Sequence, residues 1–187
     1  MERLSIIRFV FDIKEEGVAL AKFLIGDADD EEEEFELTNI CDPISDLLRG
    51  LVTLINKHKT GDVEEDNKYV VTWYNDNECF NWDLSLNSDN YLAVRITESN
   101  SFFGDEVFEA VNTSCPINDF LIAIVSELDS FIKRVGLLKY LELWGNNEFP
   151  LTYLLFLKEY LIRQGAWQID NSSVSEELSK ECNLLLK

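Results

Sequence analysis

Hydrophobic and polar positions alternate at the start of the chain and then change period several times, and each change predicts an element. Ile7, Phe9, Phe11 and Ile13 alternate with Arg8, Val10 and Asp12, the two-residue period of a half-buried strand. "KEEG" breaks the run and "VALAKFLIG" resumes it, so residues 4–25 read as a hairpin. From Asp42 the period becomes helical. Asp42 can cap a helix whose first residue is Pro43, and Ile44, Leu47, Leu48, Leu51, Leu54 and Ile55 recur at three- and four-residue steps. Lys57, His58 and Lys59 fall at the negative end of that helix dipole, where His58 reads as a C-terminal capping residue, and Gly61 follows.

After the polar connection "DVEEDN", three strand-like runs follow: "KYVVTWY", "CFNWDLSL" with Phe80, Trp82, Leu84 and Leu86 on one face, and "YLAVRIT" with Leu92, Val94 and Ile96 on one face. "NDNE" and "NSDN" between them are rich in residues that accept turn geometry. The loop "ESNSFFGDE" leads to a fourth run, "VFEAVN", which completes an antiparallel meander. Pro116 then opens a helix with a stripe from Phe120 through Ile124, Leu128 and Phe131 to Val135, closed by Gly136. A helical turn around Tyr140 to Trp144 and a helix over residues 150–163 come next. Beyond Gly165, Ser173 and Glu176 fit a capping box, with Val174, Leu178, Cys182 and Leu185 on one helical face. The order ββ–α–ββββ–ααα lacks the strict alternation of a parallel doubly wound sheet. It predicts an α+β fold, a mostly antiparallel sheet of about six strands with helices on one face, spanning residues 1–164, and a tail over residues 165–187.

Charge changes this picture more than composition does. Asp27, Asp29, Asp30, Glu31, Glu32, Glu33, Glu34 and Glu36 place eight carboxylates in ten positions, and this run is expected to be a solvated loop over residues 26–37. In the whole chain of 187 residues, 16 basic side chains face 36 acidic ones for a net charge of −20, and without the run the balance is still −12. Such a field repels nucleic acid and anionic lipid, whose recognition needs Lys and Arg against phosphate, and it attracts basic proteins. The spacing of Asp27, Asp29 and Glu31 begins like a calcium loop. Glu32 then stands where the glycine is needed and Thr38 where the bidentate glutamate is needed, so that site fails.

Catalytic and cofactor chemistry find little support in the chain. The single His58 leaves no two-histidine zinc set, and Cys41, Cys79, Cys115 and Cys182 lie far apart with no paired spacing. No phosphate loop, dinucleotide fingerprint, nucleophile elbow or zincin motif is present. The expectation is therefore no catalytic residue, no cofactor and no metal. Arg8 and Asp12 interrupt the first apolar run and no small-residue cleavage site follows, so a signal peptide is not expected. With no apolar run long enough to span a bilayer, the reading is a cytoplasmic protein with reduced thiols. Most of Trp73, Trp82, Trp144 and Trp167 are expected in the core, because such rings bury large areas and the strand phases accommodate them. Phe102 and Phe103, adjacent rings in a turn-rich loop, are candidate anchors for a partner, beside the acidic run itself.

"FNWDLSL", "YLAVRIT", "VFEAV", "CPINDFLIAIVSELD" and "LKYLELWGNNEFPL", spread between Trp73 and Leu157, resemble small bacterial proteins of polymorphic toxin loci, the acidic immunity proteins that occupy toxin domains. The resemblance covers less than half of the chain and leaves the acidic run outside. It implies a cytoplasmic, non-catalytic inhibitor that occludes a basic toxin domain, its acidic side chains standing where nucleic acid phosphates would bind. Two other readings stay open: an enzyme or small-molecule binder with a pocket between sheet and helices, and an adaptor that works through the C-terminal helix.

Overall fold

Seven strands form two antiparallel sheets in the computed structural model, which describes residues 6–26, 32–60, 67–75, 77–99, 107–167, 177–182 and 184. The first sheet has the order β1 (Ile6–Glu15), β2 (Val18–Gly26), β3 (Glu33–Thr38). Its register sets Phe11 beside Ala21 and Phe35 on the buried face, and Asp12 beside Leu20 and Glu36 on the other. The second sheet is the expected meander, β4 (Lys68–Tyr74), β5 (Cys79–Leu86), β6 (Tyr91–Ser99) and β7 (Val107–Pro116). The last strand runs past "VFEAVN" because Thr113, Ser114 and Cys115 keep pairing with Val94, Ala93 and Leu92.

The fold class is α+β as expected, with two corrections. A single sheet of about six strands is replaced by a three-stranded and a four-stranded sheet, and part of the expected acidic loop is strand β3. The second correction has a simple energetic reason. Phe35 and Leu37 alternate with Glu34 and Glu36, and burying two large apolar side chains contributes about 1.5–3 kcal/mol each. Two carboxylates about 7 Å apart in water repel by only roughly 0.6 kcal/mol before salt screens them. Burial wins, and the charges go to the outer face.

The sheets meet through an aromatic layer. Phe35 of the first sheet packs edge-on against Phe80 with ring centres 5.0 Å apart, and Phe23 lies 5.1 Å from Trp82. Trp73 and Trp82 are 4.4 Å apart, and the Trp73 indole N–H donates to the Pro43 carbonyl at 2.9 Å. These rings are fully buried.

Helices close the sheet edges. Helix α1 (Pro43–Thr60), capped by the Asp42 carboxylate accepting from the Ser45 N–H, crosses β4 so closely that a Cβ on Gly50 would stand 2.6 Å from the Tyr69 ring. Helix α2 (Ile117–Val135) runs along β1, where Phe131 meets Phe11 and the Glu127 carboxylate accepts from the Phe11 N–H at 3.3 Å. An edge strand left open presents unpaired backbone groups, and α2 covers this one. A short α3 (Leu137–Leu143) and α4 (Leu151–Arg163) follow, with Lys158 of α4 paired to Asp129 of α2. The tail helix α5 (Glu177–Cys182) docks: the Glu181 carboxylate accepts from the Leu137 and Leu138 N–H groups at the start of α3. Its expected capping residues Ser173 and Glu176 lie outside the described residues. No helix among the described residues is long and apolar enough to cross a membrane.

Candidate functional site

Strand β3 holds the described half of the acidic run in fixed positions. Glu34 points outward and pairs with Lys22 on the neighbouring strand, and Glu32 pairs with Arg8 at 2.7 Å. Glu33 follows the inward phase of Phe35 and Leu37, one step beyond the aromatic layer, and so stands at the rim between the sheets. There it meets Glu98 of β6 and Glu78 of the β4–β5 turn. The Glu98 carboxyl is raised above the ordinary carboxylate range by burial first, then by the charges of Glu78 and Glu33.

The carboxylates that extend the acidic strand are therefore Glu78 and Glu98. Asp62, Glu64, Glu65 and Asp66 of the polar connection lie outside the described residues, as do Asp27, Asp29, Asp30, Glu31, Phe102 and Phe103. Glu98 had a signal in the chain: it continues the inward phase of Leu92, Val94 and Ile96. An acid in that phase at a strand end marks a rim.

A cavity of about 310 Å³ lies between sheet and helices, where the end of α1, the start of α2, the end of α4 and the β5–β6 turn converge. His58 and Lys59 line it with Asn118 and Tyr160. The His58 Nδ1 and Asn118 Oδ1 atoms are buried there without a hydrogen-bond partner in the protein. The Lys59 ammonium stands over the Phe156 and Tyr160 rings, 5.3 and 5.0 Å from their centres. This set offers acceptors and a cation to a small polar molecule. Among the described residues no carboxylate holds the His58 ring, the support a catalytic histidine ordinarily has.

The family models, the curated proteins and the solved structures hold no match to this chain.

Burial works against thiolate formation at two of the cysteines, Cys115 and Cys41. All four cysteines are unpaired. Burial pushes the Cys115 thiol up to about 12, and burial also raises Cys41 against the opposing hydrogen bond from the Tyr74 backbone. A nucleophilic thiolate needs the opposite shift. Among the described residues no group of three His, Cys, Asp or Glu side chains is arranged to hold a metal ion.

A third feature is a groove of about 750 Å³ between α3 and the start of α4, with Leu137, Leu138, Leu141, Phe149 and Leu151 along it. Sequence reasoning missed it because two of its walls are the short α3 and the irregular segment before α4. Neither has a period long enough to mark a face.

Proposed function

We propose that this chain is a non-catalytic acidic protein that binds a basic protein and occludes it, a toxin domain being the partner class to which the resemblance points. The observation that carries the reading is the acidic strand. Glu33, Glu34 and Glu36 are anchored to the core by Phe35 and Leu37, Glu34 and Glu36 facing outward with Glu34 bonded to Lys22, and Glu33 at the rim near Glu78 and Glu98, so charge is presented on a rigid edge. Fixed charge steers an oppositely charged protein into encounter and loses little freedom when bound, whereas a floppy acidic segment must be ordered first. The net charge of −20 adds a long-range field of the same sign. A cytoplasmic inhibitor with its partner's surface covered needs no bond made or broken.

The test is co-expression with basic toxin domains, followed by size-exclusion chromatography at low and high salt. The reading expects a complex at low salt that weakens as salt rises. Absence of a complex at low salt contradicts it.

A second reading rests on the His58–Asn118 cavity, whose two unpartnered atoms suit a small polar ligand. A thermal-shift screen separates the readings, because a cavity ligand raises the unfolding temperature by mass action. A protein that works only through its acidic surface ignores metabolites.

A further inference from the structure

We propose that the groove between α3 and α4 receives apolar side chains of the basic partner, presented along one face of an amphipathic helix. This rests on the acidic-binder reading and names the second half of the interface.

The groove is apolar inside and acidic around. Leu137, Leu138, Leu141, Phe149 and Leu151 line it, and Leu138 is 57% exposed. Glu148 ahead of α4 lines it, and Glu142, Asp42 and Asp46 lie within one helical turn of its lining residues Leu138, Leu141 and Ser45 along the chain. The cations nearest these carboxylates along the chain are already engaged: Lys139 bonds Glu142 at 3.0 Å, and Arg49 bonds Asp46 and the Tyr69 hydroxyl. Four carboxylates against two engaged cations leave the rim negative. A complementary occupant carries apolar side chains flanked by Lys or Arg.

The groove is also preformed. Phe149 stands edge-on to Tyr140 at 5.2 Å, Tyr140 to Phe131 at 6.2 Å, and Phe131 to Phe11 at 5.1 Å, a chain of rings from β1 to the groove floor. Glu181 holds the start of α3, and the Gly17 N–H donates to the Leu143 carbonyl at its end, 2.8 Å. A wall fixed at both ends pays little ordering cost on binding. A strand would need an open strand edge to pair with, and the residues that line the groove belong to α1, α3, α4 and the segment before α4. A helix fills such a site with side chains three and four residues apart.

The experiment uses the full chain with labelled leucine methyl groups and a synthetic peptide of leucines and lysines patterned for one apolar helical face. A control peptide keeps the lysines and replaces every leucine by serine. The proposal expects saturable shifts at Leu138, Leu141 and Leu151, and affinity about tenfold tighter for the leucine peptide than for the control. Leu138→Lys, at an exposed position the fold tolerates, should weaken the leucine peptide about tenfold, and Leu138→Met should not. Equal binding of both peptides, with no shift at Leu138, Leu141 or Leu151, overturns the groove and leaves the acidic-surface reading standing. Binding of neither peptide at low salt overturns both. Full binding by Leu138→Lys overturns the groove alone.

Discussion

The two sides of strand β3 make the clearest comparison in this molecule. Phe35 and Leu37 face inward and have no exposure worth counting, while Glu34 and Glu36 face outward in the same six residues. The inner side holds the sheets together and the outer side holds charge in place. A single strand therefore separates stability from the proposed function, and substitutions on its two sides should have unrelated consequences.

The largest effect belongs to the inner side. Phe35→Ala or Trp82→Ala removes a ring from the layer between the sheets and should cost about 3–5 kcal/mol, lowering the thermal midpoint by roughly ten degrees. A loss below about 1 kcal/mol would mean that the sheets do not meet through these rings. Next comes Glu127→Ala. It strands the buried Phe11 N–H at the covered edge of β1 and should cost about 1–2 kcal/mol in a urea titration. Gly50→Ala is a closer contest. The helix gains about 1 kcal/mol in propensity, but a Cβ 2.6 Å from the Tyr69 ring costs about 1–3 kcal/mol. The expected net is a loss of about 1 kcal/mol.

The outer side should behave differently. Glu34→Lys with Glu36→Lys should leave stability within about 0.5 kcal/mol of the parent while weakening capture of a basic protein. Glu98, at the rim, gives the smallest effect and a definite sign. Its carboxyl is raised in the folded chain by burial, so between its ordinary value and the folded one the native state holds the proton more tightly. Stability falls as pH rises through that window. Glu98→Gln should therefore be slightly more stable than the parent at pH 7, with the difference fading as pH falls below the ordinary glutamate value. Equal thermal midpoints across that range would remove the rim from the account.

The same strand explains what the chain discloses and what it hides. The alternations of Phe9 with Phe11, of Phe80 with Trp82 and of Leu92 with Val94 were legible because one solvated face forces a two-residue period. The helical stripe from Phe120 to Val135 was legible for the corresponding reason. In "EEFELT" the period is also present, but the neighbouring carboxylates mask it, although burial of Phe35 and Leu37 outweighs their repulsion. That the two sets of strands form separate sheets was not legible, since an inward phase does not say which surface covers it. Glu78 reaches the rim through its turn, and His58 meets Asn118 through helix packing. Neither juxtaposition leaves a trace in sequence spacing.

The central claim, that fixed negative charge on β3 does the work, is tested most directly by one measurement. That measurement is the association rate of this chain with a basic toxin domain as a function of ionic strength, for the parent and for Glu34→Lys with Glu36→Lys. The account predicts a parent rate that falls steeply as salt rises and a charge-reversed variant that is slower at low salt and nearly indifferent to it. Identical rates for the two proteins, flat from low to high salt, would contradict it.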